Sequence, residues 1–223
     1  ELSRPIQNPD IDEEFFDFYH ELEDKLRSIY DTQDDVLILG GEAMLGLDSS
    51  IASLGDRNDD VLCISNGIYG DGFNDLVEMH GGDPHLLDTG YRKKISPERV
   101  KSEVEKKNFE FATMVHCETP TGSLNDLEEI LQILKEKEII TIVDAVSSLG
   151  GAKIPIENID ICIGGSQKCL SNPPGLTTLS VSDEAWEVIT NKEQNSFYTN
   201  LSLWKEMWMD KGIFPYSHLV SNL

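Results

Sequence analysis

Residues 139–151, with the sequence IITIVDAVSSLGG, indicate the fold most clearly. All five residues of the run 139–143 are β-branched and four of them are apolar, without the polar alternation of a half-exposed strand. Such runs are typical of strands that are buried on both faces of a parallel sheet. The preceding stretch, 124–138, has apolar residues at three- and four-residue steps and predicts an amphipathic helix, with Asn125 or Ser123 as its N-cap. We therefore predict a helix that leads directly into a buried strand.

The alternation of helix and strand continues on both sides of this unit. The sequence predicts further buried strands at 36–39, 60–65, 109–116, 159–163 and 176–181. It predicts helices at about 11–30, 42–54, 71–80, 183–190 and 198–209, the first capped by Asp10. Continuous apolar strands between helices predict an α/β fold, in which a mostly parallel sheet is sandwiched by helices. We divide the chain into an N-terminal helical segment, 1–34, and an α/β large domain, 35–223.

Charge and composition exclude several classes of function. Acidic residues outnumber basic ones 41 to 18, and the formal net charge of the 223 residues is −23. A field of that sign repels nucleic acid and anionic membranes, so neither is a predicted partner. No apolar run is long enough to span a bilayer, and the N-terminal residues do not resemble a signal peptide. The four cysteines show no zinc-binding spacing, so we predict no metal site and a reducing, cytoplasmic location.

Unusual residues follow the predicted strands, at the sheet edge where α/β proteins bind ligands. Gly40-Gly41 opens a helix and suits a phosphate, although a simple tight turn explains it as well. Asp144 ends a buried strand and could equally be a helix cap. Lys168 lies among small residues before a Pro-Pro-Gly turn; most lysines are solvated surface charges, but a desolvated amine becomes nucleophilic.

Taken together, these residues match the protein side of pyridoxal 5'-phosphate (PLP) chemistry. A lysine bonds to the aldehyde of this cofactor, and an aspartate holds the protonated pyridine nitrogen so that the ring can accept electrons. A helix N-terminus takes the phosphate. PLP is therefore the predicted cofactor.

The sequence resembles the class V aminotransferases of PLP fold type I, in the branch of alanine–glyoxylate, serine–pyruvate and 2-aminoethylphosphonate aminotransferases. The resemblance rests on six ordered blocks that extend over nearly the whole chain. They are GEAMLGLDSSIASL (41–54), VLCISNGIYGDGF (61–73), VHCETPTG (115–122), VDAVSSLGG (143–151), GSQKCLSNPPGL (165–176) and FPY (214–216). The succession of VDAVSSLGG, GSQK and PPG is the most specific part.

The resemblance implies roles for individual residues. Lys168 is similar to the lysine that bonds to the cofactor and moves the proton during catalysis. Asp144 is similar to the partner of the pyridine nitrogen. Val146 is expected on one face of the ring and Tyr69 on the other, although Tyr69 as plain core packing stays open. Thr119 is expected near the phenolic side of the ring, although it could be only a turn residue.

The phosphate end of the site is implied less directly. Gln167 and the amides near Glu42 and Ala43 resemble this end of the family's site. Glu42 stands where small or hydroxyl residues are common, and a carboxylate there would repel a phosphate. We therefore expect the Glu42 side chain to point away from it.

The predicted function is transfer of an amino group from a small amino acid, such as alanine or serine, to a 2-oxo acid such as glyoxylate or pyruvate. The resemblance also implies a homodimer. Family members continue into a C-terminal small domain with a carboxylate-binding arginine, which we expect to be absent from this chain. Two alternatives remain at this point: a truncated PLP-binding remnant without turnover, and a lyase of the cysteine desulfurase type. The latter typically has histidine before the lysine, where this chain has Gln167.

Overall fold

The fold is described from a computed structural model that covers residues 8–9 and 11–223. Asp10, the predicted first cap, lies outside the described residues. Seven strands form the main sheet: β1 (Asp35–Gly40), β2 (Asp60–Ser65), β3 (Asp83–Asp88), β4 (Phe111–Val115), β7 (Ile140–Asp144), β8 (Ile161–Gly165) and β9 (Leu176–Val181). Two short strands, β5 (Cys117–Glu118) and β6 (Ser123–Leu124), form a separate hairpin.

Seven α-helices in the described part of the chain connect and cover the strands. They are α1 (Glu13–Tyr30), α2 (Met44–Leu54), α3 (Ile68–Met79), α4 (Pro97–Lys106), α5 (Glu128–Lys135), α6 (Asp183–Asn191) and α7 (Leu201–Trp204). The segment Lys205–Met209 continues α7 as a π-helix.

The main sheet has the strand order β1-β9-β8-β7-β4-β2-β3. Neighbouring strands from β8 to β3 pair in parallel, whereas β9 is antiparallel to both β8 and β1. Strands β4, β8 and β9 are buried along their whole length, as expected for strands covered on both faces. The predicted α/β fold with a mostly parallel sheet between helices is confirmed.

The N-terminal helix α1 packs into the same core as the sheet. Phe15, Tyr19 and Tyr30 are almost fully buried, and the Tyr30 hydroxyl lies 2.8 Å from Thr178 Oγ1 on β9. Phe214, from the C-terminal segment, packs against Tyr19 with their ring centroids 5.0 Å apart. The Tyr19 hydroxyl donates to the Ile38 carbonyl of β1 at 3.0 Å, so these contacts connect both ends of the described chain to β1 and β9.

Some predicted elements have other bounds, and the sequence did not predict β3, α4 or the two short strands of the β5–β6 hairpin. The helix predicted at 124–138 is shorter in the structure, where only α5 (Glu128–Lys135) is helical. Asn125 does not cap this helix, because the Asn125 side chain donates to the Asn66 side chain and to the Val115 carbonyl. Strand β3 was missed because it is a half-exposed edge strand that contains Pro84, and helix α4 because most of its residues are charged. None of the described helices is long and apolar enough to cross a membrane.

Candidate active site

A cavity of about 160 Å³ lies at the C-terminal ends of β1, β4, β7 and β8. This is the edge at which parallel sheets bind ligands. The lining residues are Glu42, Ala43, Met44, Leu47, Tyr69, Cys117, Thr119, Asp144, Val146, Ser147, Gln167 and Lys168. All eight residues that the sequence singled out are among them, although they come from five separate stretches of chain.

Asp144, the last residue of β7, provides a buried carboxylate at the cavity wall. Its Oδ1 accepts a hydrogen bond of 2.9 Å from the Val146 amide, and the side chain makes no other hydrogen bond to the described residues. Burial raises the pKa of Asp144 to about 6, opposed by the Val146 hydrogen bond. The negative charges of Glu118 and Glu42 raise the pKa further, and the Lys168 charge lowers it. The site therefore favours a cation next to this carboxylate.

Lys168 lies three residues beyond the end of β8, in a loop with a fixed backbone. The Ser171 amide donates to the Lys168 carbonyl at 2.9 Å, and the Asn172 amide donates to the Ser166 carbonyl at the same distance. The Lys168 side chain is exposed at the cavity, and its amine has no hydrogen-bond or ion-pair partner among the described residues. A rigid loop thus presents an unpaired amine to the cavity that also contains Asp144.

Glu42 and Gln167 meet at the other end of the cavity, next to the start of α2. The Gln167 amide nitrogen donates to Glu42 Oε1 at 2.6 Å, and the Met44 backbone amide donates to Glu42 Oε2 at 3.0 Å. The expectation that Glu42 points away from this end is wrong, because the carboxylate binds the donors that the helix start and Gln167 offer. The position therefore already holds one anion, supplied by the chain itself.

Hydroxyl and aromatic groups complete the walls. Thr119 Oγ1 lies 2.5 Å from Ser147 Oγ, so the hairpin β5–β6 and the turn after β7 are joined at the cavity. Tyr69, in the first turn of α3, lines the cavity while its side chain remains about half exposed. Val146 is buried and lines the cavity two residues after Asp144.

Sequence reasoning missed a buried carboxylate beside the cavity. Glu118 is fully buried and accepts hydrogen bonds from the backbone amides of Gly70, at 2.7 Å, and Tyr69, at 3.4 Å. The glutamate lies within the block 115–122, but its partners are 48 and 49 residues earlier in the chain. No local pattern marks such a long-range contact.

A larger cavity, of about 420 Å³, lies between the loop at 153–158 and the start of α5. It contains His116, whose ring nitrogen Nδ1 lies 2.8 Å from Ser148 Oγ. Neither Lys168 nor Asp144 reaches it. The smaller cavity is therefore the candidate site, because Lys168 and the buried carboxylate of Asp144 both line it.

The chain is similar to several proteins that are named as aminotransferases or transaminases. An uncharacterized aminotransferase of Methanocaldococcus jannaschii is 37% identical over 92% of this chain and 55% of its own length. The pyridoxamine–pyruvate transaminase of Mesorhizobium japonicum is 33% identical over 96% of this chain and 56% of its own length. The crystal structure of the ureidoglycine–glyoxylate aminotransferase of Bacillus subtilis superposes with a TM-score of 0.93, at 28% identity, over 99% of this chain and 58% of that one.

The chain spans a little over half the length of each of these proteins. The family profile described as aminotransferase class-V matches residues 70–206, which is more than half of this chain. The matched range contains Asp144 and Lys168 together with the loops that carry them. The chain therefore belongs to the class V aminotransferase family, whose cofactor is pyridoxal 5'-phosphate.

Proposed function

We propose that the protein is a PLP-dependent aminotransferase that moves an amino group from a small amino acid, alanine or serine-like, to a 2-oxo acid such as glyoxylate or pyruvate. The observation that carries this proposal is the meeting of Lys168 and Asp144 in one cavity. Relatives named for transfer to pyruvate and to glyoxylate support the class of acceptor. The amino donor follows from the resemblance of the sequence blocks.

The cavity fits this cofactor at the end that holds Asp144. Its carboxylate is buried, and one of its oxygens has no hydrogen-bond donor among the described residues. A pyridinium N–H is both a cation and a donor, so it would satisfy this oxygen and remove the cost of the buried charge. When bound, PLP supplies an electron sink for the amino acid.

The opposite end of the cavity, next to the start of α2, fits the cofactor phosphate only after the Glu42 side chain has moved. The Glu42 carboxylate accepts hydrogen bonds from the Gln167 side-chain amide and from the Met44 backbone amide. These are the donors that we expect to face a phosphate. We propose that the Glu42 side chain leaves these donors when the cofactor binds. Ala43 and Gln167 would then contact the phosphate through their backbone amides and the Gln167 side chain.

The remaining roles concern the protein's own groups. We propose that Lys168 bonds to the cofactor through its amine and afterwards holds and returns the proton that leaves the amino acid. Tyr69 and Val146 would pack on opposite faces of the ring, and the Thr119 hydroxyl would approach its phenolic oxygen. The Lys168 amine has no ion-pair partner in the part of the chain that the structure describes, and this supports the assignment, because no such pair has to break before the amine reacts.

The lyase alternative needs a reactive cysteine close to Lys168, and the two candidates among the described residues, Cys117 and Cys169, are unsuitable. Burial raises the pKa of Cys117, which disfavours the nucleophilic thiolate. Cys169 is exposed, but its thiol contacts the Ser147 carbonyl at 3.5 Å and does not line the cavity. The aminotransferase assignment is therefore favoured over this alternative.

We further propose a homodimer in the cytoplasm. Met44, Ile68 and Tyr69, at and beside the cavity, are each about half exposed, and a second copy would cover this apolar surface. All four cysteines are free thiols, which supports a reducing compartment. The division into a helical segment, 1–34, and a cofactor-binding domain, 35–223, also remains a proposal. Sedimentation of the purified protein measures the oligomeric state.

A spectroscopic titration tests the proposed activity. PLP is added to the protein, its visible absorbance is recorded, and L-alanine, L-serine or glyoxylate follows. We expect a protein-dependent band that changes with the amino acids and returns when the 2-oxo acid is added. Lys168→Ala should abolish the band, and Lys101→Ala, a change at an exposed lysine of α4, should not. A band that ignores every amino acid would support the remnant without turnover and refute transamination.

A further inference from the structure

We infer that Glu118 is a positioning residue of the cofactor site: its buried carboxylate holds the first turn of α3 and thereby sets the place of Tyr69 at the cavity. This inference rests on the proposed function, because it gives Tyr69 a ring to contact. Glu118 itself does not line the cavity. Its action is therefore through the backbone of α3.

The start of α3 has no cap of its own. Gly67 is the N-cap residue, and it has no side chain to accept a hydrogen bond from the first turn. Gly70 in that turn is buried, so its backbone amide would otherwise be left without a partner. The Glu118 carboxylate fills this role from another part of the chain, accepting from Gly70 at 2.7 Å and from Tyr69 at 3.4 Å.

Gly67 is needed to admit the carboxylate. A Cβ atom at this position would lie 2.3 Å from Glu118 Cδ and 2.5 Å from its Oε2. Any side chain at 67 would therefore displace the carboxylate from the helix start. The backbone of Gly67 is extended, with φ of −173°, so conformation alone does not require a glycine there. Space for Glu118 is what the glycine provides.

The hairpin fixes Glu118 from its own side. Glu118 pairs with Ser123 across β5 and β6, and the Gly122 amide donates to the Glu118 carbonyl at 2.8 Å. The next residue, Thr119, lines the cavity and lies against Ser147. A single rigid hairpin thus sets Thr119 directly and Tyr69 through the carboxylate, so two walls of the cavity are held in register.

The negative charge of Glu118 also favours binding of the cofactor. It is one of the groups that raise the pKa of Asp144, which means that it makes the cavity more negative where a pyridinium would bind. The dipole of α3 balances part of this charge, because a carboxylate at a helix N-terminus is favoured. Glu118 can therefore remain buried and still favour a cation at Asp144.

Amide hydrogen exchange in the ligand-free protein tests the helix contact. We expect Glu118→Ala to lower the protection of the Gly70 amide at least tenfold. Glu118→Gln, which keeps an acceptor oxygen, should restore most of it. Gly67→Ala should lower the protection of the Gly70 amide as Glu118→Ala does, although Glu118 is still present. It therefore replaces Glu118→Ala in this test if that variant does not fold. Asp71→Asn is the control: Asp71 is in the same turn, but its carboxylate bonds the Ser65 and Tyr91 hydroxyls.

A double-mutant cycle tests the positioning of Tyr69. We expect Glu118→Ala to weaken PLP binding about tenfold, and to weaken it only about two- to threefold, through the lost charge alone, when Tyr69→Ala is already present. Equal effects in both backgrounds, or unchanged protection of Gly70, would overturn the inference. If the unaltered protein binds no PLP, the proposed function fails; if it binds and the cycle is additive, only the role of Glu118 fails.

Discussion

Replacing Asp144 with asparagine should stabilise the ligand-free protein while it impairs the cofactor site. The pKa of Asp144 is about 6 in the folded protein, against 3.8 for an unperturbed aspartate. The folded state therefore binds more protons than the unfolded state between these two values, and stability falls as the pH rises through them. At pH 7.5 the raised pKa of Asp144 lowers the free energy of unfolding by about 3 kcal/mol.

Asparagine imitates the neutral carboxyl group and can keep the hydrogen bond from the Val146 amide. We therefore expect Asp144→Asn to raise the free energy of unfolding by about 3 kcal/mol at pH 7.5, and by about half as much at pH 5. Urea unfolding at both pH values measures the difference. Asp126→Asn, at an exposed position, is the control and should change little.

Bound PLP should make the unaltered protein more stable than the Asp144→Asn protein, which reverses the order expected without the cofactor. PLP should stabilise the unaltered protein strongly and the Asp144→Asn protein weakly, because asparagine offers no charge to a pyridinium. A variant that is less stable than the unaltered protein at pH 7.5, or a gain that does not depend on pH, would refute the idea that burial of an ionised Asp144 is costly. An equal stabilisation of both proteins by PLP would refute its pairing with the ring.

Two further predictions concern other charged and aromatic groups. Glu42→Gln should tighten PLP binding about three- to tenfold, because it removes a negative charge from the Gln167 and Met44 donors. The effect should be smaller at high salt. Calorimetric titration measures the affinity, and weaker binding would contradict the proposed phosphate end. Trp208→Phe should lower the free energy of unfolding by about 1–3 kcal/mol more than Trp186→Phe. The reason is that Trp208 Nε1 donates to the buried Glu23 at 2.6 Å, whereas Trp186 Nε1 has no hydrogen-bond partner among the described residues. Equal losses in urea unfolding would show that the Glu23 contact contributes nothing.

The fold could be predicted where burial leaves a continuous apolar pattern. Strand β2 has the predicted bounds because its interior, residues 61–64, is an unbroken apolar run. Strand β9 also has the predicted bounds, although three of its six residues are Thr or Ser, and all six are buried. The pattern fails at β3, where an exposed edge tolerates Asp83 and Pro84. In α1, the three-residue step from Leu26 predicts that Ile29 lies on the buried face, but Ile29 is 42% exposed and Tyr30 is buried instead.

The site could be predicted as a set of loops, but not as a set of contacts. Parallel strands bring their C-terminal ends to one edge, so residues after β4, β7 and β8 had to lie near each other. The direction of a side chain depends on neighbours that the sequence does not reveal. Glu42 bonds Gln167, which is 125 residues away, and Glu118 bonds Gly70, which is 48 residues away. Both contacts involve charges whose position follows from packing between distant segments.

The most direct test of the central claim is to locate the covalent attachment of the cofactor. The protein is mixed with PLP and treated with borohydride, which reduces the bond between a lysine amine and the aldehyde to a stable link, and the digested peptides are weighed by mass spectrometry. We predict the added mass on the peptide that contains Lys168, at one group per chain, and its loss in Lys168→Ala. Attachment spread over other lysines, or the same labelling in Lys168→Ala, would contradict the account.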